Sequence, residues 1–165
     1  MNFTVRAAKV NDLEGILEIV NYNILNTTSI YDYEPRTLAQ QTAIFEEKKT
    51  NNFPLLVIEI DQEIAGFGTF GTFRFKEGYK FTVEHSVYVS VKHQGKGLGK
   101  LLLSQLIETA KKQKRHTMIA VIDAENQNSV TFHEQFGFET VGLMKESAFK
   151  FNKWLDTVFM QLLLK

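Results

Sequence analysis

Thr82-Val83-Glu84-His85-Ser86-Val87-Tyr88-Val89-Ser90-Val91-Lys92-His93-Gln94-Gly95-Lys96-Gly97-Leu98-Gly99-Lys100 changes its periodicity halfway along. Val83, Val87, Val89 and Val91 fall on one face of an extended chain, and β-branched residues favour that conformation. Beyond the glycines the apolar positions Leu98, Leu101, Leu102, Leu106 and Ala110 repeat with a helical period. The stretch therefore reads as a strand, a glycine-rich turn and the start of a helix. A helix start carries N–H groups without internal partners, and its macrodipole makes that end electropositive. Glycines let a bulky anion approach the backbone, and Lys92, Lys96 and Lys100 add positive charge. Such a junction is a phosphate cradle. It implies a phosphorylated cofactor, and with it an enzyme.

Two common phosphate loops do not fit. The Walker pattern G-x-x-x-x-G-K-[ST] fails because Lys100 stands where the second glycine belongs, with Leu101 after it. The dinucleotide pattern G-x-G-x-x-G fails because Gly99 arrives one position early. Nor is a strand with a ribose-binding acid evident at the right distance, Ile122-Asp123 lying too late. What remains is Q-x-x-G-x-G, from Gln94 to Gly99. This resembles the pyrophosphate loop of the GNAT superfamily of N-acetyltransferases, which bind acetyl-coenzyme A.

Two further segments carry the same resemblance in the same order. Asn126-Gln127-Asn128-Ser129-Val130-Thr131-Phe132-His133-Glu134-Gln135-Phe136-Gly137-Phe138 resembles the second superfamily signature, in which Asn and a small residue open a short helix ending in Gly-Phe. Phe149-Lys150-Phe151-Asn152-Lys153-Trp154-Leu155-Asp156 is similar to the Phe-Lys-x-x-x-Trp-x-Asp segment of the phosphinothricin acetyltransferases. That subfamily also carries Glu-x-Ser/Thr-Val-Tyr-Val, present here from Glu84 to Val89. Two departures weaken transfer of the acceptor pocket. Glu77-Gly78 stands where many members have Pro-Ala, and Lys153 replaces the glycine that commonly precedes the Trp.

Composition is consistent with this reading. The chain has 165 residues, one domain's length and enough for a core without staples. It has no cysteine, which excludes disulfides, a thiolate nucleophile and zinc–thiolate sites. The formal net charge is +0, which argues against nucleic-acid binding through a basic surface. The start, Met1-Asn2-Phe3-Thr4-Val5-Arg6, lacks the layout of a signal peptide, and no apolar run approaches a membrane span. No metal site and no membrane are expected, and a reducing cytoplasm is the simplest location.

Periodicity and turn chemistry predict an α/β (α+β) domain over residues 1–165. Its central sheet is mixed, mostly antiparallel and flanked by helices, in the GNAT order. Phe3 to Ala7 reads as a strand, and Asn11 or Asp12 as the cap of a helix through Leu13, Ile16, Leu17 and Val20, with Glu14 bonding back across the first turn. Tyr22 to Tyr33 reads as a loop, and Thr37 opens a helix ended by Asn51-Asn52 and Pro54. Asp61-Gln62 joins two strands in a hairpin. Thr117 to Asp123 is a buried strand, Ser129 to Gln135 a short helix, and Glu139 to Ala148 and Trp154 to Leu163 are the last strands. The resemblance implies a parting of the fourth and fifth strands that admits the cofactor.

Acetyl transfer to an amine needs a group to remove the ammonium proton, a donor to polarise the thioester carbonyl, and a proton for the leaving thiolate. The resemblance implies direct attack without an acyl-enzyme. It gives Glu84 the role of general base, against the plainer reading of a solvent-facing strand carboxylate. By period two, Glu84, Ser86 and Tyr88 share a face, and His85 points the other way as a satisfied core histidine. For the cofactor, the resemblance implies backbone pairing of Val87, Tyr88 and Val89 with the pantetheine arm. It implies diphosphate binding by Gln94, Gly95, Lys96, Gly97, Leu98, Gly99 and Lys100, and a contact from Asn126, which also suits a helix cap. Most superfamily members place a Tyr four residues after the small helix residue as acid for the thiolate. Here that residue is Ser129 and the acid position is His133, which serves either as proton donor or as pocket lining.

The subfamily acetylates small amino acid analogues such as phosphinothricin, methionine sulfone and methionine sulfoximine. An anionic acceptor calls for cations and hydroxyls, and Arg74, Lys80 and Lys150, with Tyr31, Tyr33 and Tyr79, are the candidates by position. Trp154 and Asp156 are read as structural or as part of a dimer surface, since homodimers are usual in the subfamily. The expected activity is acetylation of a small-molecule amine by acetyl-coenzyme A. The alternatives are a protein or peptide acetyltransferase and a non-catalytic acetyl-coenzyme A-binding module.

Overall fold

The computed structural model describes residues 3–165; Met1 and Asn2, the start of the N-terminal stretch read above, lie outside it. Its frame is a sheet in the order β1-β2-β3-β4-β5-β7-β6, built from β1 (Val5–Ala7), β2 (Leu55–Ile60), β3 (Glu63–Thr72), β4 (Thr82–Val89), β5 (Thr117–Asp123), β6 (Glu139–Lys150) and β7 (Lys153–Leu163). Four helices flank it: α1 (Leu13–Asn26), α2 (Leu38–Thr50), α3 (Leu98–Lys112) and α4 (Gln127–Glu134). Every neighbouring pair is antiparallel except β4 and β5. That one parallel pair is short, running only from Thr82↔Thr117 to Glu84↔Ile119. Both strands continue beyond it without touching, so the sheet parts in its middle as the resemblance implied.

The core lies on both faces of the sheet. Phe70, Val83, Leu98, Leu102, Leu106, Met118 and Met160 pack between the sheet and α3, and Ile16, Val20, Ile24, Val57 and Phe67 pack beneath α1. Fully burying such a side chain contributes about 1.5–3 kcal/mol, so these two layers dominate the stability. On α3 the buried stripe is Leu98, Leu102, Leu103, Leu106, Ile107 and Ala110, while Leu101 is exposed. The expected stripe was misplaced there because the run Leu101-Leu102-Leu103 fits two helical phases. The side chains of α3 pack so closely on β3 that a Cβ on Gly68 would lie 3.1 Å from Leu106 Cδ1.

Several local expectations change. Asp12 does not cap α1 with its side chain, and Glu14 forms no capping box there. The Asp12 carboxylate instead takes two bonds from Arg6, at 2.7 and 3.0 Å, and one from the Lys9 N–H at 2.7 Å. The Arg6 guanidinium holds Asp12 below the usual carboxylate range. Helix α1 also continues through Asn26, so the first part of the expected Tyr22–Tyr33 loop is helical. Val91 leaves the strand for a 3-10 turn at Val91–His93 and is half exposed. By contrast, Thr37 caps α2 as expected, in a full capping box with Gln40, and Asp61 and Gln62 take positive φ in a tight hairpin turn.

Candidate active site

Beyond Glu84 the β5-facing edge of β4 has no partner strand among the described residues, while its other edge pairs with β3 as far as Val89↔Gly66. Main-chain groups near Val87, Tyr88 and Val89 therefore border the gap and can pair with an extended ligand arm. At the same end of the sheet, Gly97 (φ 76) forms the N-cap of α3, so the first N–H groups of that helix have no helical partners. Gly95 also takes positive φ (75), and a Cβ at either glycine would meet nothing within 4 Å. The result is an open cradle of main-chain donors at a positive helix end, which fits a diphosphate. Leu98 offers it backbone only, its side chain being sealed in the core. Of the three expected cations, Lys92 reaches Glu63 at 3.3 Å and Lys96 lies 3.1 Å from His93 Nδ1. Lys100 forms no ion pair among the described residues.

Where β4 and β5 part, a cavity of about 310 Å³ opens, lined by Glu84, Ser86, Tyr88 and Val87 from β4 and by Asp123 from β5. Asn126, Ser129, Phe132 and His133 close it from α4. The remaining wall is the strap after α1, which contributes Thr28, Ser29 and Tyr31. Burial pushes the Glu84 carboxyl above the ordinary range, and the charge of Arg74 partly opposes this. A half-buried carboxylate with a raised pKa at a cavity wall is suited to taking a proton from an amine.

His133 and His85 form a buried pair. His133 Nδ1 lies 2.6 Å from the Ser129 carbonyl, and that oxygen only accepts, so Nδ1 carries the proton. In the neutral ring Nε2 is then an acceptor, and it lies 3.0 Å from His85 Nε2, which must donate. The remaining atom, His85 Nδ1, is a buried acceptor with no partner among the described residues. His85 is thus a core histidine, as expected, but not a fully satisfied one. Burial, with a smaller contribution from His133, lowers its pKa to about 3. Burial also lowers the pKa of His133, although its bond to the Ser129 carbonyl opposes that. The pair stays neutral, and the single His133 proton is committed to a backbone oxygen. An acid role needs a second proton on His133 that this geometry disfavours.

Asn126 caps α4, accepting from Ser129 N at 3.1 Å, the plainer of its two expected roles, and it also lines the cavity. Tyr31 lines the cavity and shares a hydrogen bond of 3.2 Å with Thr157 Oγ1. The other acceptor candidates do not line it. Tyr33 donates to the Phe149 carbonyl, Tyr79 packs edge-on to Phe73, and Lys80 lies over the Phe81 ring. Arg74 lies over Phe73 and acts on Glu84 only through its charge. Lys150 is the clearest correction. It is 3 % exposed, and its ammonium donates to the Thr27 and Ile30 carbonyls at 2.8 and 2.5 Å. Its ammonium is engaged by backbone carbonyls and does not line the cavity.

Sequence reasoning missed Thr28, Ser29 and Asp123, all on the cavity wall. The buried Asp123 carboxylate accepts from Thr28 Oγ1 and, at 3.1 Å, from Glu125 N, tying the strap to the turn before α4. A lone acid ending an apolar strand was the only available signal.

A sheet parted between parallel strands, with a phosphate cradle at one end of the gap and a half-buried carboxylate at the other, defines an acyl-coenzyme A-dependent transferase. The comparisons are specific. Residues 5–159 match the family model described as acetyltransferase (GNAT) domain, and the chain belongs to that family. It is 43% identical over 163 residues to the L-methionine sulfoximine/L-methionine sulfone acetyltransferase of Pseudomonas aeruginosa, covering 98% of this chain and 95% of that one. Its fold superposes on an N-acetyltransferase from Staphylococcus aureus with a TM-score of 0.98 at 42% identity, covering 100% of both chains. A phosphinothricin acetyltransferase from Sinorhizobium meliloti, solved in complex with acetyl-coenzyme A, superposes at 0.96 with 37% identity, covering 99% of this chain and 89% of that one.

Proposed function

We propose that the chain is an N-acetyltransferase that moves the acetyl group of acetyl-coenzyme A onto the amino group of a small amino-acid-like acceptor, of the methionine sulfone, methionine sulfoximine or phosphinothricin type. The observation that carries this reading is the half-buried Glu84 carboxylate, with its raised pKa, at the parting of β4 and β5. The named relatives support the acceptor class.

The acceptor arrives as an ammonium, and Glu84 removes its proton, directly or through water. Acetyl-coenzyme A supplies the thioester; a C–N bond forms, the nitrogen gives its second proton to solvent, and the C–S bond breaks to release the thiolate. Main-chain N–H groups along Val87 to Val89 polarise the carbonyl, and the α3 cradle from Gln94 to Lys100, with Asn126, holds the cofactor. We assign His133 and His85 to shaping the thioester side as a neutral pair, with solvent supplying the thiolate's proton. No Lys or Arg lines the cavity among the described residues, so the hydroxyls of Thr28, Ser29, Tyr31 and Ser86 recognise the polar end of the acceptor. Arg74 contributes charge from outside. The closed wall formed by the strap favours a small acceptor over a peptide.

A homodimer and a cytoplasmic location complete the reading. The exposed apolar side chains Val141, Leu143, Met144, Phe149 and Trp154 on the outer β6–β7 hairpin support the dimer. The test is thiol release from acetyl-coenzyme A across a panel of methionine sulfone, methionine sulfoximine, phosphinothricin, common amino acids, polyamines and peptides. Turnover concentrated on the first three is the expected result. Faster turnover on peptides would overturn the acceptor assignment, and cofactor binding without any release would overturn the enzyme reading.

A further inference from the structure

The Phe149–Asp156 segment has no place in the chemistry above, yet its residues converge on the strap that walls the acceptor cavity. Phe151 and Asn152 both take positive φ, turning β6 tightly into β7. Phe149 pairs across the strands with Trp154, their ring centroids 5.0 Å apart. Asp156 accepts from Glu146 N at 2.8 Å, bracing the irregular stretch where the register shifts between Met144 and Ala148. The hairpin so fixed presents three attachments to the strap. Lys150 donates to the Thr27 and Ile30 carbonyls, Tyr33 donates to the Phe149 carbonyl, and Tyr31 meets Thr157, which also bonds Ser147 Oγ at 2.7 Å.

Lys150 is the centre of this arrangement. Thr27 is the C-cap of α1, so the ammonium sits where the helix leaves carbonyls unpartnered and its dipole is negative. Burying a lysine is costly unless its donors are bonded. Here they bond the two ends of a four-residue span, Thr27 to Ile30, that carries the cavity residues Thr28 and Ser29. On the cavity side the same span bonds Asp123 through Thr28 and receives the Tyr88 hydroxyl on the Ser29 carbonyl at 3.4 Å. The strap is therefore held from behind by Lys150 and in front by the site itself.

We infer that Lys150 is a positioning residue for the acceptor: by clamping the Thr27 and Ile30 carbonyls it fixes Thr28, Ser29 and Tyr31 in the wall that recognises the amine substrate. The inference rests on the acceptor-acetylation reading, but it also has a structural consequence independent of turnover. The cradle of α3 shares no residue with the strap, so loosening the strap spares the cofactor.

The experiment compares the full chain with Lys150→Met, which keeps the stem and removes the donors, and Tyr33→Phe, which removes one neighbouring attachment. Hydrogen exchange of residues 27–33, the acetyl-coenzyme A dissociation constant by calorimetry, and KM for methionine sulfone are measured for each. In Lys150→Met the strap amides exchange faster and KM for methionine sulfone rises about tenfold or more, while cofactor affinity holds. Tyr33→Phe moves the same two quantities less. Wild-type exchange and KM in both variants would overturn the inference, as would an equal loss of cofactor affinity. If Lys150→Met does not fold, Tyr33→Phe decides by the same criteria. If the wild type acetylates no amine, the functional reading falls, and the exchange data alone sustain or overturn the clamp.

Discussion

The cofactor cradle and the acceptor wall lie at opposite ends of one gap and are built in opposite ways. The cradle is a continuous run, Gln94 to Lys100, working through main-chain N–H groups that two positive-φ glycines expose. The acceptor wall gathers side chains from β4, β5, α4 and the strap, and a hairpin well over a hundred residues beyond the strap holds it in place. A site made of backbone depends on local conformation. A site made of side chains depends on every element that aims them, so one fold can keep its cofactor while its acceptor changes.

The largest effect should come from the residue at the boundary of the two. Glu84→Gln should lower kcat by about 10²–10⁴-fold, the usual contribution of a general base, with acetyl-coenzyme A binding retained. In the wild type, kcat/KM should rise with pH through a pKa above the ordinary carboxylate range, because the base must be ionised and burial resists that. That limb should vanish in the variant. A pH–rate profile with calorimetric cofactor titration checks both, and full activity in the variant would remove Glu84 from the mechanism.

Gly97→Ala tests the cradle alone. No side chain or backbone blocks the added Cβ, so the cost is the left-handed backbone itself, about 1–2 kcal/mol for an L-residue. The loop should relax, raising KM for acetyl-coenzyme A about tenfold and leaving that for the acceptor nearly unchanged. Paired with the Lys150 clamp variants, this should separate the two Michaelis constants, each lesion raising one and sparing the other. If either lesion raises both constants equally, the separation of cradle and wall is wrong.

The smallest effect is on stability. His85 has a folded-state pKa depressed to about 3, so near pH 5 the unfolded chain holds a proton that the folded chain lacks. Stability is then full above the unfolded value of about 6.5 and falls as pH drops toward the folded value, by about 1.4 kcal/mol per pH unit for one proton. His133 acts in the same direction, and Glu84, with its raised pKa, acts in the opposite one. Urea unfolding between pH 7 and 4.5 should show a flatter pH dependence for His85→Phe than for the wild type. An unchanged slope would mean that the pair is not held neutral.

These contrasts follow what could be read before folding. The strand–glycine–helix run was legible because β-branched alternation, helical leucine spacing and glycine punctuation are local signals, and β4, α3 and β5 lie close to where they were expected. Misreadings came where a local signal had two uses. Asp12 looked like a helix cap and became the partner of Arg6, and Tyr22 to Asn26 looked like loop because polar and aromatic residues also suit the exposed face of a helix. Lys150 was drawn toward the acceptor by its charge, and its burial against Thr27 and Ile30 reversed that assignment.

The order of elements, the family and the glycine-rich turn proposed as the cofactor cradle were therefore fixed by the chain itself, since each depends on residues near one another in sequence. The acceptor wall, the neutral His85–His133 pair and the clamp at Lys150 depended on tertiary structure. They join residues 48 to 126 positions apart, where burial and the choice of hydrogen-bond partner decide what a charge or an imidazole does.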